Sequence, residues 1–395
     1  MYEVIVNRQE NTKKIILLEN KVIIEKYEDN DESIRTEGNI YLGKVQNVLP
    51  GMQAAFVDIG EKKNTFIHLK DLLPKIDAKN ENMEQNIETP NIKQLIKPGM
   101  PLLVQVKKDS TNKKGARVST HISLPGKYIV FMPNAQFITV SQKIEDEKEK
   151  QRLIEVVKNL LPEGSGAIIR TSSENKDEST IKKDIDELKE EWKNIQNAQN
   201  NTKQYPAILY KNDGILKKLF IDMVDKKIDK IIVNDSDIYE DIISMLKDIN
   251  NLNIKVELHN GQNLIEEFCL TSQIEKISNR KVWLKCGGFI TIDKTEALTA
   301  IDVNSGKYIG TKDLEQTVYI VNKEATKEIA KQLRVRDIGG IVVIDYIDMK
   351  LLENRKKIEE LLVDELKKDR SKTQVIGFTK LNLLEMTRKH IGSNE

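Results

Sequence analysis

The chain has few cysteines, no excess of charge of either sign and no long apolar run. Only two of its 395 residues are cysteine, which is too few for a disulfide scaffold. Lysine and arginine number 63 and aspartate and glutamate 62, so the net charge of +1 gives no general attraction for nucleic acid. No apolar run approaches the ~20 residues of a membrane span, and the start, MYEVIVNRQE, lacks the apolar core of a signal peptide. We therefore expect a cytoplasmic protein of several domains, without a membrane segment, in which any RNA attraction comes from local patches.

Two apolar runs, each ending in an aspartate, are joined by one long helical pattern. The run 297–301 leads to Asp302, and the run 339–344 leads to Asp345. Short runs rich in β-branched residues are typical of strands buried on both faces. Apolar residues at helical spacing predict a helix over 313–336. A strand–helix–strand crossover makes its two strands parallel, so both carboxylates should lie at one edge of a sheet.

Asn304, two residues after Asp302, adds an amide to this pair of carboxylates. Magnesium prefers one or two carboxylates with water, and leaves positions for a substrate phosphate. For either aspartate alone, a turn former or a helix cap is the more common role. The three side chains together favour a divalent-metal site, and their chemistry alone leads no further.

A resemblance to a known family rests on three ordered segments: TEALTAIDVNSGK (295–307), RVRDIGGIVVIDYIDM (334–349) and LNLLEMTRK (381–389). These segments resemble the ribonuclease E/G family. The resemblance implies a magnesium-dependent endoribonuclease that cleaves single-stranded RNA with a metal-activated water, in rRNA processing and mRNA decay. It implies that Asp302 and Asp345 bind the magnesium and that Asn304 positions the site. Products with 5′-phosphate and 3′-hydroxyl ends are expected.

The resemblance also implies an α/β, multidomain fold with an OB-fold barrel inserted in an RNase H-like subdomain and followed by a DNase-I-like catalytic subdomain. The expected boundaries are 1–35 with 212–276 for the RNase H-like subdomain, 36–121 for the OB-fold domain of ribosomal S-one type, 122–211 for a 5′-end sensing region and 277–395 for the catalytic subdomain. The N-terminal strands are too short a stretch for a domain, and should complete a sheet formed later in the chain. In the RNase H-like part no set of carboxylates stands out, and Asp235 is expected to cap a helix.

Five short strands with glycine breaks predict the small barrel. They are expected at 40–48, 53–59, 65–69, 101–107 and 116–119, with the polar insert 77–98 as a surface loop. Strand alternation places Val57 and Ile67 in the core and leaves Phe56, Phe66 and His68 outside. Outward phenylalanines can stack RNA bases, although lone surface aromatics are common.

Basic residues lie near these aromatic residues in the sequence. Five cations are expected to follow RNA phosphates: Lys107, Lys108, Lys113, Lys114 and Arg117. Charge runs are usually solvated, but their coincidence with outward aromatics favours RNA contact. The resemblance assigns Phe56, Phe66 and Lys114 to the RNA-contacting positions of the family.

The region 122–211 is expected to bind a phosphate. Arg170 and Thr171 end a predicted strand and can hold a phosphate with a guanidinium and a hydroxyl, although such a pair is a weak signal alone. GAIIRT (166–171) resembles the pocket with which the family senses a 5′ monophosphate, and Gly126 and Val130 match its other members. A following helical pattern contains Trp192, which is expected in the core.

The chain departs from the family pattern in several places. Family members continue past LLEM to a CPxC zinc link between two protomers, and this chain has no CxxC pair. We therefore expect a monomer or a weak, zinc-independent dimer rather than a zinc-linked one. Cys269 and Cys286 are expected as small apolar core residues. Gln142-Lys143 replaces paired arginines, and Lys372 is the expected RNA contact where the family has an arginine, without the bidentate fork.

Two other functions stay open. A non-catalytic RNA-binding protein that keeps the fold is favoured by the missing dimerisation segment and opposed by the intact trio of Asp302, Asn304 and Asp345. A nuclease directed at DNA is the third interpretation. Competition between single-stranded RNA and single-stranded DNA distinguishes this DNA-directed nuclease from the endoribonuclease.

Overall fold

The structure is a computed structural model that describes residues 1–30, 36–72, 91–110, 115–212, 214–223, 228–248, 254–307 and 313–391. The chain divides into two units, residues 1–34 with 215–395, and residues 35–214. No helix in these ranges is long and apolar enough to cross a membrane.

The described strands and helices have the following bounds. The strands are β1 (Tyr2–Gln9), β2 (Thr12–Glu19), β3 (Val22–Asn30), β4 (Ile40–Leu49), β5 (Ala54–Asp58), β6 (Thr65–His68), β7 (Pro101–Lys108), β8 (Arg117–Ser119), β9 (Leu124–Pro125), β10 (Ile129–Met132), β11 (Ile138–Val140), β12 (Gly166–Ile169), β13 (Ala207–Tyr210), β14 (Ile228–Val233), β15 (Lys255–Leu258), β16 (Lys281–Trp283), β17 (Phe289–Lys294), β18 (Leu298–Asn304), β19 (Gly340–Asp345), β20 (Thr373–Phe378) and β21 (Leu383–Arg388). The α-helices are α1 (Ile92–Leu95), α2 (Glu147–Leu160), α3 (Glu178–Asn201), α4 (Gly214–Asp222), α5 (Ser236–Asp248), α6 (Leu264–Glu267), α7 (Thr271–Ser278), α8 (Leu314–Val335) and α9 (Leu352–Leu366).

The first unit contains a five-stranded sheet, the N-terminal sheet, in the order β15-β14-β1-β2-β3. β1 pairs with β14 in parallel and with β2 in antiparallel orientation. The N-terminal strands thus complete a sheet formed later in the chain, as the sequence predicted. Both faces are covered: α4 and α5 pack with Val4 and Leu17 on one face, and α6 packs with Ile5 and Ile16 on the other.

The same unit contains a six-stranded sheet, the C-terminal sheet, in the order β16-β17-β18-β19-β21-β20. β18 and β19 are parallel and joined by α8, so the predicted crossover is confirmed. α8 begins after Asp313, whose side chain accepts a hydrogen bond from the backbone N–H of Glu315. α8 and α9 pack on one face of the sheet.

The other face of the C-terminal sheet is open, so the expectation that β18 and β19 are buried on both faces was wrong. Ile301 and Val303 point towards the helices, whereas Ala300 and Asp302 are exposed and Asn304 is half-buried. Ile341 in β19 is 51% exposed. Side chains therefore alternate between a covered and an exposed face even in a strand that is apolar throughout. The apolar run alone does not show which face is covered.

The second unit begins with a barrel of five strands, closed by the pairing of β4 with β7. All five predicted strands are present, with ends within one residue of those predicted. The barrel is compatible with the expected OB-fold, and β13 adds a sixth strand beside β4. Part of the segment expected as a surface loop is instead helix α1, and Ile92 and Ile96 are buried in the barrel core. Residues 73–90 lie outside the described ranges.

A four-stranded sheet comes next in the chain, in the order β11-β12-β10-β9. α2 and α3 cover one of its faces, where Phe131 and Ile169 pack with Leu153 and Ile185. Trp192 on α3 packs against this core, as predicted.

The cysteines were predicted only in part. Cys286 is half-buried and packs against the core of the C-terminal sheet, whereas Cys269 is exposed. The expectation that both are core residues was therefore wrong for Cys269. Its backbone adopts a φ of 54°, in the short connection between α6 and α7.

Candidate functional site

Asp302 and Asp345 are direct neighbours on the open face of the C-terminal sheet. They are partners in the parallel pair β18–β19, so about 4.8 Å separates their backbones. Asn304 lies on the same side of β18, and its Nδ2 donates a hydrogen bond of 2.6 Å to Oδ2 of Asp302. The fold therefore brings together the three residues singled out from the sequence.

Negative charge accumulates around Asp345. Partial burial raises the pKa of its carboxyl, and the charges of Asp302 and Asp348 raise that pKa further. Among the described residues, no hydrogen-bond donor reaches the Asp345 carboxylate. Asp348 itself accepts a hydrogen bond of 3.3 Å from Nδ2 of Asn382. A bound divalent cation would relieve this repulsion, so the oxygen ligands present fit magnesium.

The set of possible ligands is small. Within the ranges that the structure describes, no group of three or more His, Cys, Asp and Glu side chains is placed to hold a metal ion. Two carboxylates leave most coordination positions to water and to a substrate oxygen. This is the arrangement that magnesium prefers, whereas a zinc site would require a fuller set of protein ligands.

A buried asparagine fixes the turn that comes after Asp345, and it was missed in the sequence. Nδ2 of Asn322 on α8 donates to the carbonyl of Ile347 at 2.8 Å, and its Oδ1 accepts from the Ile347 N–H at 3.2 Å. One turn later, Oγ1 of Thr326 lies 2.9 Å from the Tyr346 hydroxyl. Both α8 side chains are fully buried. The available signal was the presence of polar residues at core positions of an apolar helical stripe.

Phe56 and Phe66 lie outside the barrel core, as strand alternation predicted. They are partners across β5 and β6, with ring centroids 6.2 Å apart in an edge-to-face arrangement. The His68 ring lies 6.4 Å from that of Phe66. The three half-buried rings form one continuous aromatic surface.

Two cations of the basic run have partners within the protein. Arg117 forms a bidentate pair with Asp71, with hydrogen bonds of 3.0 Å, so a carboxylate outside the run neutralises part of its positive charge. Nζ of Lys107 donates to Oε1 of Gln105 at 2.5 Å. Lys113 and Lys114 lie outside the described residues.

The four residues predicted to bind a 5′ phosphate lie on or next to the four-stranded sheet. Nη1 of Arg170 donates to the carbonyl of Gly126 at 2.9 Å. The Thr171 hydroxyl lies 2.9 Å from that of Ser141. Val130 is opposite Ile168 on the outer face, the face that also carries Arg170. A guanidinium and a hydroxyl thus follow each other directly after β12.

Asp184 on α3 fixes the backbone that follows Gly126 and was also missed in the sequence. Its carboxylate accepts hydrogen bonds from the backbone N–H groups of residues 127, 128 and 129, at 3.0, 2.9 and 3.2 Å. Asp184 is only 4% exposed. A Cβ at Gly126 would lie 2.6 Å from Oδ2 of Asp184, so a larger residue there would displace the clamp.

Lys372 is not brought to the carboxylate pair. It is exposed and precedes β20, whose first residue pairs with Arg388. Arg388 pairs in turn with Gly340, at the beginning of β19, whereas Asp345 is at its end. The length of β19 therefore separates Lys372 from Asp345 by roughly 15 Å or more along the strand direction.

Comparison with known proteins gives consistent matches over nearly the whole chain. A model of the ribonuclease E/G family matches residues 123–391. Ribonuclease G of Escherichia coli (strain K12) is 38% identical over 389 residues, which cover 98% of this chain and 79% of the relative. Ribonuclease G of Haemophilus influenzae is 36% identical over 391 residues, with the same two coverages. Ribonuclease E of Nostoc sp. is 35% identical over 363 residues, which cover 90% of this chain and 52% of the relative.

Proposed function

This chain belongs to the ribonuclease E/G family and is an endoribonuclease; we propose that Asp302 and Asp345 form its catalytic centre and cleave single-stranded RNA with magnesium. The observation that carries this proposal is the pairing of the two aspartates in adjacent parallel strands, with Asn304 bound to one of them. We further propose that the enzyme acts in rRNA processing and mRNA decay.

The roles of the three residues follow from their positions. Asp302 and Asp345 would hold the ion, directly or partly through water, and Asn304 would fix the orientation of the Asp302 carboxylate. When bound, magnesium supplies a water of lowered pKa and neutralises charge that develops on the scissile phosphate. The open face of the sheet leaves the carboxylates accessible to a phosphodiester. Since the pKa of Asp345 is raised, protonation of this group on the acid side should limit activity.

Three surfaces would contact the RNA away from the cut. The rings of Phe56 and Phe66 would stack bases, and Lys114 would bind a phosphate. Lys372 would contact a phosphate distant from the carboxylates. The pocket of Arg170 and Thr171, with Gly126 and Val130, would favour RNA with a 5′ monophosphate.

The finer subdomain assignment and the assembly state are also proposals. The order of the N-terminal sheet, with β1 between β2 and the parallel β14, supports an RNase H-like subdomain. The barrel would be the OB-fold of the ribosomal S-one type, and the C-terminal sheet the DNase-I-like catalytic subdomain. We propose a monomer or a weak dimer that does not depend on zinc, which light scattering with and without a chelator would test.

The test is cleavage of a single-stranded, A/U-rich oligoribonucleotide with and without magnesium. Replacing Asp302 by asparagine should lower the cleavage rate by on the order of 10³ or more, while RNA affinity in the absence of metal is retained. Asp364→Asn is the matched control, because Asp364 is an exposed aspartate on α9 that pairs with a surface lysine. Magnesium-dependent cleavage by purified Asp302→Asn would refute the assignment. A DNA oligonucleotide of the same sequence should compete poorly.

A further inference from the structure

Three residues form an exposed aromatic surface on the open face of the C-terminal sheet, which we call the Trp283 platform. The rings of Trp283 and Phe289 meet edge to face, with centroids 5.3 Å apart. Nζ of Lys281 lies 4.0 Å from the first ring centroid and 3.5 Å from the second. Trp283 is 58% exposed. The platform thus presents a large aromatic ring to solvent, with the ammonium group of Lys281 in contact with it.

Strand register places the platform beside the carboxylate pair. Trp283 is opposite Phe289 in the pairing of β16 with β17, and Phe289 is opposite Asn304 in the pairing of β17 with β18. Residues paired in this way share one face of the sheet. Because adjacent strands are about 4.8 Å apart, Phe289 is one strand from Asn304 and Trp283 is two.

The next row of the sheet contains Lys281, Thr291, Asp302 and Asp345 in that order. The platform and the carboxylates therefore lie on one continuous surface, within the reach of neighbouring nucleotides of one RNA strand. The cation of Lys281 is on the same surface, two strands from Asp302.

The chemistry of the platform suits a nucleobase. Aromatic rings stack bases of any sequence, and a cation at the ring provides attraction for the phosphate that accompanies the base. A structural role does not account for this tryptophan as well, because a side chain exposed on an edge strand buries little apolar area in the core. Lysine alone would be sufficient to protect that edge from pairing with other strands.

We propose that the Trp283 platform is a base-stacking subsite for a nucleotide next to the scissile phosphate, with Lys281 contacting the adjoining phosphate. This inference rests on the proposed function of Asp302 and Asp345. It adds a second stacking surface, separate from Phe56 and Phe66, and locates it on the β16 side of the cut.

The first test uses the intrinsic fluorescence of the chain, which has two tryptophans. In Trp192→Phe, all tryptophan emission comes from Trp283. Titration with the A/U-rich oligoribonucleotide in the presence of a chelator should quench this emission, with the same Kd as an independent binding assay. If Trp192→Phe is poorly folded, the emission of Trp283 is obtained by subtracting the emission of Trp283→Phe from that of wild type. Emission unchanged at RNA saturation in both formats would overturn the proposal.

The second test measures affinity and cleavage in variants of the platform. Trp283→Ala should weaken binding by about 5- to 150-fold, whereas Trp283→Phe, which keeps a ring, should remain close to wild type. Lys281→Gln should reduce the dependence of log Kd on log salt concentration by about one unit. Ile376→Ala is the matched control, because Ile376 is 59% exposed on β20, the opposite edge strand.

The outcomes separate this inference from the proposed function. Binding and quenching are measured without metal, so they do not depend on cleavage. If the wild-type enzyme cleaves with magnesium and Trp283→Ala binds RNA as tightly as wild type, the platform alone is refuted. An equal loss of affinity in Ile376→Ala would also refute it, because the effect would then not be specific to the platform. A chain that binds through Trp283 but never cleaves would refute the catalytic proposal and leave the platform supported.

Discussion

The N-terminal and C-terminal sheets contain the same sequence signal with two different outcomes. In each, an apolar β-branched strand in a parallel pair leads closely to an aspartate: Asp235 after β14 and Asp345 at the end of β19. Oδ1 of Asp235 accepts the backbone N–H of Ile238 at 2.9 Å, and its Oδ2 lies 3.6 Å from Nε of Arg8. Asp235 is thus the predicted helix cap, whereas Asp345 faces a second carboxylate on an open surface.

The difference arises from the segment of chain after each strand. α5 begins at Ser236, so the backbone N–H groups of its first turn are available to Asp235. After Asp345, α9 begins only at Leu352, and the intervening turn is fixed by Asn322 instead. The N-terminal sheet is also covered on both faces, while the C-terminal sheet has one open face. A delayed helix and an open face together leave Asp345 available for chemistry.

The largest effect should come from removing each aspartate in turn. Asp345→Ala should abolish magnesium-dependent cleavage, lowering the rate by on the order of 10³ or more. Asp235→Ala should leave cleavage intact and lower the free energy of unfolding by about 1 kcal/mol, because a helix cap is lost. Initial rates and urea unfolding measure the two quantities. Comparable losses of activity in both variants would show that the two aspartates do not differ as proposed.

A smaller effect is expected from replacing Asn322, the asparagine that holds the turn after Asp345. Asn322→Leu leaves the N–H and the carbonyl of Ile347 without their buried partner, so the free energy of unfolding should fall by about 1–3 kcal/mol. The catalytic rate should fall while metal-free RNA affinity is unchanged, since the turn after Asp345 loses its anchor. Thr326→Val is the control, because it removes a neighbouring buried hydroxyl that donates to the backbone carbonyl of Asn322 and lies 2.9 Å from the Tyr346 hydroxyl, rather than one that holds Ile347. A variant of Asn322 with wild-type kcat would assign the residue to stability alone.

The smallest effect concerns the charge of Asp345. Because its pKa is raised in the folded chain, the folded state binds this proton more tightly than the unfolded state. Any stability from this group is present below its unfolded pKa and is lost as the pH rises through the folded pKa. Asp345→Asn should therefore raise the Tm slightly at pH 7 in the absence of metal, by an amount limited by solvent screening.

Magnesium should reverse the order of the two Tm values, so that wild type becomes more stable than Asp345→Asn. Since the ion binds the folded state, it should raise the Tm of wild type but not that of Asp345→Asn. Differential scanning calorimetry with and without magnesium measures both changes, with Asp364→Asn as the control that responds like wild type. A Tm of Asp345→Asn that rises with magnesium as much as that of wild type would contradict a metal site at this residue.

Patterns local in sequence predicted where several candidate site residues lie. Alternation placed Phe56 and Phe66 outside the barrel, and the crossover rule placed Asp302 beside Asp345. Partners distant in sequence could not be predicted in this way. Asp184 and Asn322 each bind backbone groups more than 20 residues away, and nothing local identifies those groups.

Solvent exposure was the other quantity that local patterns did not predict. The run that contains Ile341 is apolar throughout, and only the placement of α8 and α9 on one side leaves this residue exposed. The sequence does not show that Arg117 is paired, because its partner, Asp71, lies 46 residues away in the chain. Exposure of Cys269 likewise depends on the connection between α6 and α7.

The register of β18 against β19 has a consequence for how preparations of the enzyme should be judged. Side chains alternate between the two faces, so a slip of one residue would turn Asp345 towards the helices and Ile344 towards solvent. Such a chain would keep almost all its secondary structure and yet contain no pair of carboxylates on one face of the sheet. Spectroscopic measures of folding would count it as native. The fraction of competent molecules is therefore better measured by active-site titration, and specific activity then reports the fidelity of strand pairing as well as purity.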